Sequence, residues 1–231
     1  MLLPGALLAL VLAAQGWFLR GRSRGAAGRY RRWLIRAPLA MLVPALVALA
    51  ALGRLDALWR FPPEFMGLRA LLPAMEATAV AIGSLAGVTG GLAIIALRAR
   101  FGRPLPAALR RMMPGPGERG WAALVAAMAG VVEEPLYRLV LPLLVTMLGG
   151  SAVVGFAAAS IVFARAHRYQ GIRGMALSGS FGLVLAGLYV LSGQLWLVVV
   201  LHALNNAGAL VVWPAVAGAR GAASTTAVRL E

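Results

Sequence analysis

Two adjacent carboxylates, Glu133 and Glu134, lie inside an apolar segment of the chain and are followed by Arg138. On a helix, Glu134 and Arg138 fall four residues apart on one face, where they can form an ion pair. Glu133 points about 100° away from that face and can address a different cavity. A structural ion pair therefore explains Glu134 with Arg138, but it explains Glu133 poorly. Glu133 is a candidate general base that acts on water.

The chain has only two histidines. One lies at the end of a further apolar segment, and the other lies inside the last apolar segment. His167 closes the run Phe163-Ala-Arg-Ala-His, and His202 opens the run His-Ala-Leu-Asn-Asn206. The spacing of His202 and Asn206 places both side chains on one side of a helix. Either histidine alone is typical of hydrogen bonds between membrane helices. Two histidines together with a carboxylate pair on a third segment favour a catalytic site.

The segments that must position these residues are those of a membrane protein. The chain has 231 residues, of which 61% are hydrophobic and 13% are charged, and its mean hydropathy is +0.84. Soluble domains carry roughly 25% charged residues. The pattern predicts an all-α, polytopic helix bundle of about seven or eight transmembrane helices, which forms one integral membrane domain over residues 1–231. The predicted spans are 2–19, 37–53, 74–97, 120–149, 152–167, 172–191 and 194–214.

The fourth predicted span is too long for a simple crossing. Thirty helical residues reach ~45 Å, whereas the hydrocarbon core is ~30 Å thick. The segment should therefore tilt steeply, bend near Pro135, or divide into two helices, which would give an eighth. The preceding residues 104–119 are expected along the membrane interface.

The basic residues number 22 against 7 acidic ones, and all of them are arginines. Such charge is compatible with nucleic-acid binding, but these arginines lie between apolar runs, so control of topology is favoured and no nucleic-acid partner is expected. Arginines crowd the first, third and fifth connections and the carboxy terminus. The positive-inside rule then predicts an outside amino terminus and a cytoplasmic carboxy terminus. The absence of lysine is typical of a GC-rich bacterial genome, so the bacterial inner membrane is the expected location.

Three short motifs occur in a fixed order on separate segments. They are Glu-Glu-x-x-x-Arg from Glu133, Phe-x-x-x-His ending at His167, and His-x-x-x-Asn from His202. Together they resemble the type II CAAX prenyl endopeptidase and bacteriocin-processing family, also called CPBP or Abi. The resemblance covers a core of about residues 120–208, and 166–171 and 193–196 are similar to the family's usual surroundings. Pro135 and Leu139 depart from the common pattern, which affects local helix geometry more than chemistry.

The resemblance implies an intramembrane endopeptidase without a metal or another cofactor. Glu133 and His167 would activate a water molecule for direct attack on a peptide carbonyl, and His202 and Asn206 would donate hydrogen bonds to the oxyanion. The expected partners are the lipid bilayer and a membrane-anchored protein or peptide substrate.

We assign Glu134 and Arg138 a supporting role, with Glu134 also a candidate to share the base role.

The same residues permit other interpretations. Two histidines with one or two glutamates could bind zinc, although the resemblance implies a metal-free site. Ser178 or Ser180 could pair with His202 as in a serine peptidase, which would leave both glutamates idle. The chain could also be a non-catalytic membrane scaffold or a bacteriocin self-immunity protein. The absence of cysteine excludes disulfides, cysteine nucleophiles and thiolate metal sites.

Overall fold

The computed structural model describes residues 2–20, 28–102, 113–115 and 117–216. In these ranges the ordered elements are helices, and no strand occurs, so the all-α prediction is confirmed. The predicted interfacial segment 104–119 lies mostly outside the described residues. The helices are α1 (Leu2–Arg20), α2 (Arg29–Ala37), α3 (Val43–Ala51), α4 (Met66–Arg69), α5 (Ala77–Arg100), α6 (Arg119–Glu134), α7 (Leu141–Met147), α8 (Ala152–Ala166), α9 (Gly171–Ser192) and α10 (Leu195–Ala207).

Three π-helical segments extend or join these helices. Pro38–Leu42 joins α2 to α3, Pro135–Val140 joins α6 to α7, and Gly208–Val212 continues α10. Short 3₁₀ turns occupy Leu55–Leu58, Pro63–Phe65 and Arg168–Gln170.

Within the described residues, five helical segments are long and apolar enough to cross a membrane. The fifteen-residue α8 is apolar but shorter. The segment α6–α7 carries the polar motif that begins at Glu133. These observations support an integral membrane bundle, and a total of seven or eight spans stays a prediction. The five are Leu2–Arg20, Arg29–Ala51, Ala77–Arg100, Arg168–Ser192 and Leu195–Val216.

The second span begins earlier than hydropathy alone predicts, at Arg29 rather than residue 37. Its first turns form α2, in which Arg31 and Arg32 are exposed while Tyr30 is buried. Long arginine side chains can extend their charged ends into water while the helix backbone continues into the apolar layer. A hydropathy window misses such a helix end because it averages the arginines with their apolar neighbours.

The long fourth segment runs from α6 into α7 without a turn, and the π segment Pro135–Val140 lies in its middle. Proline lacks an N–H, and its ring clashes with the carbonyl one turn earlier. A π segment relieves this clash by widening the helix locally while the chain stays helical. Every residue of Pro135–Val140 is buried, so the irregular turn is enclosed by protein.

Close helix packing brings the polar segments together. A Cβ atom placed on Gly130 of α6 would lie 2.1 Å from the backbone oxygen of Val199 in α10. The two backbones therefore touch at this point, and only glycine permits the contact. α8 and α9 also pack closely, since a Cβ on Gly182 of α9 would lie 2.9 Å from the side-chain ring of Phe163 in α8.

The connection between α3 and α5 folds over the ends of two later helices. Phe61 and Phe65 in this connection pack edge to face, with ring centroids 5.9 Å apart. Phe61 also contacts Tyr189 near the end of α9, and Phe65 contacts Phe156 near the start of α8. This aromatic cluster packs the connection against the end of α9 and the start of α8.

Candidate active site

The fully buried carboxylate of Glu134, at the end of α6, joins two other helical segments. Its Oε2 accepts a hydrogen bond from Nε of Arg138 at 2.9 Å, so the contact predicted from the i,i+4 spacing is present. Its Oε1 lies 2.6 Å from Nδ1 of His202, which is 68 residues away on α10. Glu134 therefore links the first and third motifs directly.

Arg138 is also fully buried, inside the π segment. Its Cζ lies 4.9 Å from the centre of the Phe163 ring, in a cation–π contact. Its two terminal nitrogens make no hydrogen bond with any described residue. A Cβ on Gly182 would lie 3.2 Å from Nη2, so the glycine of α9 makes room for the guanidinium. The positive charge is consequently held among an aromatic ring, a glycine and the Glu134 carboxylate.

The ring of Phe163 lies at the centre of the cluster. Its centroid is 5.1 Å from that of Tyr137, 4.6 Å from that of His167 and 6.0 Å from that of His202. On the other side of His202, the ring of Phe181 lies 5.7 Å away, also edge to face. The sequence motif contains Phe163 but suggests no role for it, and no sequence signal points to Phe181.

His167 lies just after the end of α8 and is half-buried. Its Nδ1 is 2.9 Å from the carbonyl oxygen of Phe163, one turn earlier. A carbonyl oxygen only accepts hydrogen bonds, so Nδ1 carries a proton and Nε2 is the remaining atom for other partners. Because Phe163 contacts the π segment, the end of α8 lies beside the middle of the long fourth helix.

The other two predicted residues lie next to this cluster. Glu133 is buried, with 6% of its surface exposed, and its charge acts on His202. Asn206 is half-buried one turn after His202, whereas its neighbour Asn205 is exposed. The amide of Asn206 makes no hydrogen bond in the part of the chain that the structure describes.

A buried glutamine of α1 was missed by the sequence analysis. Gln15 accepts a hydrogen bond from the hydroxyl of Tyr137 at 2.9 Å and donates one to the carbonyl of Ala40 at 3.1 Å. Tyr137 is the neighbour that the helical spacing offers to Glu133. A polar residue inside a predicted span is itself a signal. The first spans thus support the motif-bearing helix directly.

The geometry does not pair a serine with His202. Ser178 donates to Oε1 of Gln170 at 3.4 Å, and Ser180 is exposed. The residue of α9 that contacts His202 is Phe181. Among the described residues, no three histidine, cysteine, aspartate or glutamate side chains form a group that could hold a metal ion.

An apolar groove of about 340 Å³ lies between α5, α9 and α10. Phe181 and Leu201 form part of its inner wall, and these residues contact or adjoin His202. Gly83 and Gly87 form part of the opposite wall on α5. The groove thus reaches the aromatic wall of the buried cluster from the side of the bundle.

Residues 116–208 match the family model described as type II CAAX prenyl endopeptidase Rce1-like. The matched stretch contains the cluster of Glu134, Arg138 and His202. It also contains the neighbouring candidates Glu133 and Asn206. Over these residues the chain is similar to the Rce1-like family. The relationship supports a CAAX-type protease in a membrane, as the order of the three motifs predicts. No curated protein and no solved structure matches the chain.

Proposed function

We propose that the chain is an intramembrane endopeptidase that hydrolyses a peptide bond of a membrane-associated protein or peptide. The observation that carries this proposal is the hydrogen bond between Glu134 and His202. It joins two motifs that are far apart in sequence inside the same buried cluster. Glu133 adjoins this cluster, and His167 is connected to it through Phe163. A buried polar cluster in a membrane protein is costly to maintain, which favours a functional role.

In the proposed reaction, Glu133 and His167 bind and activate one water molecule. The water gives a proton to the Glu133 carboxylate, and its oxygen attacks the carbon of the scissile carbonyl. The carbonyl electron pair moves to the oxygen, which accepts hydrogen bonds from His202 and Asn206. The intermediate collapses when the C–N bond breaks and Glu133 returns the proton to the leaving amine. The products are a carboxylic acid and an amine, and no covalent enzyme intermediate forms.

The first test compares the protein termini of membranes from cells that produce the wild-type chain or the Glu133→Gln variant. Cleavage products present with wild type should disappear with the variant, because loss of a general base typically lowers the rate ~10²–10⁴-fold. Glu76→Gln is the matched control, since Glu76 is exposed and lies outside the cluster. Identical termini with Glu133→Gln and wild type, at equal protein levels, would contradict the peptidase proposal and favour a scaffold or self-immunity role.

A product identified in this way supplies a substrate for assays with the purified protein. Treatment with a chelator should leave cleavage intact, because the proposed base and donors need no metal. Loss of cleavage that zinc restores would instead support the metallopeptidase alternative, with histidine and glutamate as ligands.

A further inference from the structure

We propose that Glu134, together with Arg138, holds His202 as a doubly protonated imidazolium, and that Glu134 is a positioning residue rather than a second base. The consequence for catalysis rests on the proposed function. The protonation state of His202 is a property of the buried cluster and can be tested without a substrate.

The carboxylate of Glu134 has donors at both oxygens. Nδ1 of His202 lies 2.6 Å from Oε1, and Nε of Arg138 lies 2.9 Å from Oε2. Glu134 and Arg138 are fully buried, and His202 is 3% exposed. Charge-assisted hydrogen bonds of this kind are short and strong. If Glu134 took up a proton as a base, both contacts would lose the negative charge that strengthens them.

The contact with Glu134 uses Nδ1 of His202, so Nε2 is the ring nitrogen that could contact a substrate. A carboxylate oxygen only accepts hydrogen bonds, so Nδ1 carries a proton in either charge state of the ring. In a neutral ring, Nε2 would then have no proton and could only accept. It could not donate a hydrogen bond to an oxyanion. His202 can serve as an oxyanion donor only if Nε2 is protonated as well.

The charge balance of the cluster favours this second proton. The charged groups of the long fourth helix that interact with His202 are Glu134, in direct contact, and Glu133 and Arg138, through their charges. The proposed base role requires Glu133 to be ionised. With Glu133 and Glu134 both ionised and the guanidinium positive, a neutral His202 would leave one net negative charge in a buried site. An imidazolium makes the total charge zero. Uncompensated buried charge is costly, so the state with the imidazolium, in which the charges sum to zero, is favoured.

The other helices that pack against His202 present mostly apolar groups. α8 presents the ring of Phe163, which also contacts the ring of His167. α9 presents the ring of Phe181. The edge-to-face packing of both rings holds the imidazole plane in place. The fixed ring and the Nδ1 contact together determine the position of Nε2 before a substrate binds.

The test is nitrogen NMR of the purified full-length chain with isotopically labelled histidine. The chain has two histidines, so a purification tag without histidine and the variant His167→Gln leave His202 as the single labelled ring. At neutral pH, both ring nitrogens of His202 should give the signals of protonated nitrogens. In Glu134→Gln, which keeps the shape but removes the charge, one ring nitrogen should lose its proton. Glu134→Asp should retain more of the imidazolium than Glu134→Gln does.

An unprotonated ring nitrogen of His202 in the wild-type background at neutral pH would overturn the proposal. An unchanged imidazolium in Glu134→Gln would also overturn it, because Glu134 would then not be the cause. If Glu134→Gln does not fold, the wild-type spectrum still decides the protonation state. If the protein cleaves no substrate but His202 is an imidazolium, the proposed function is contradicted and this inference still holds.

Discussion

Asn206 and its neighbour Asn205 are two adjacent asparagines of α10 that differ in exposure. Asn206 lies one helical turn after His202 and is half-buried, whereas Asn205 is exposed. The two residues have the same side chain and nearly the same place along α10, but they face different directions. A difference between their variants must therefore come from the direction of the amide.

We expect Asn206→Ala to lower the rate of cleavage ~10²–10³-fold and to leave measurable activity, because it removes one oxyanion donor and keeps the base. The measurement is the rate of product formation in proteoliposomes, at matched amounts of folded protein. Asn205→Ala is the control and should cleave at the wild-type rate. Equal activity of the two variants would show that Asn206 is not an oxyanion donor.

The helices that carry the cluster are held at two unusual places, the π segment Pro135–Val140 and the crossing of α6 with α10. The π segment places Arg138 beside Phe163 and under Gly182. The crossing at Gly130 lets α10 approach closely enough for His202 to contact Glu134. Small residues at helix crossings in membranes permit such close approach.

We expect Gly130→Ala to destabilise the protein by ~1–3 kcal/mol, because its Cβ would overlap the backbone oxygen of Val199 and the helices would have to separate. Gly120→Ala in the same helix is the control, since nothing lies within 4 Å of a Cβ at Gly120. Thermal unfolding in detergent compares the two variants with wild type. If Gly130→Ala unfolds at the wild-type temperature, the close crossing does not contribute to stability.

The connection between α3 and α5 contains an ion pair that should respond to acid. Both terminal nitrogens of the Arg54 guanidinium donate to the carboxylate of Glu64, the Nη2–Oε2 distance being 2.9 Å. These hydrogen bonds from Arg54 lower the pKa of Glu64 below its usual value of 4.5. A lowered carboxyl pKa means that the stabilisation is complete above the pKa of the unfolded chain. It is lost as the pH falls through the lower pKa of the folded protein.

We therefore expect Glu64→Gln to lower the unfolding temperature slightly at neutral pH and to lose this effect in acid. The difference at neutral pH should be below about 1 kcal/mol, because the pair is partly exposed. Unfolding of wild type and variant at a series of pH values measures the difference. Glu76→Gln, at an exposed site in the same connection, should show no comparable trend. A Glu64→Gln difference that grows in acid would contradict the assignment.

At the scale of the molecule, the described residues at the ends of the first and third connections contact each other. The backbone N–H of Gly28 donates to the carboxylate of Glu118 at 3.0 Å, and Arg29 donates to the carbonyl of Met113. This contact agrees with alternating crossings. The arginine distribution predicts which end faces the cytoplasm.

We expect reporter fusions after Arg36, Arg103 and Arg220 to give cytoplasmic signals, because arginines concentrate beside these positions. A fusion after Glu76, between the second and third spans, should give the opposite signal. Paired reporters that are active on only one side of the membrane make the measurement. Outside signals from two of the three arginine-side fusions would reverse the predicted orientation.

The sequence by itself determined the class of the protein and the segments that form its helices. Each predicted span overlaps a helix of the structure, because a helix that crosses a bilayer needs a run of consecutive apolar residues, which is visible in the sequence. The order of the three motifs also led to the family, through residue types and spacings that need no coordinates. The main error was the start of the second span, where the arginines of α2 hide a helix end.

Only the tertiary structure decided which groups touch. The sequence offered Glu134 as a partner for Arg138 and left open whether it shares the base role. The contact with His202 links residues 68 positions apart, and it depends on the crossing of α6 with α10. Such a crossing depends on how two whole helices pack, which local patterns do not encode. For the same reason the positions of Gln15, Phe163 and Phe181 around the cluster became visible only in the folded chain.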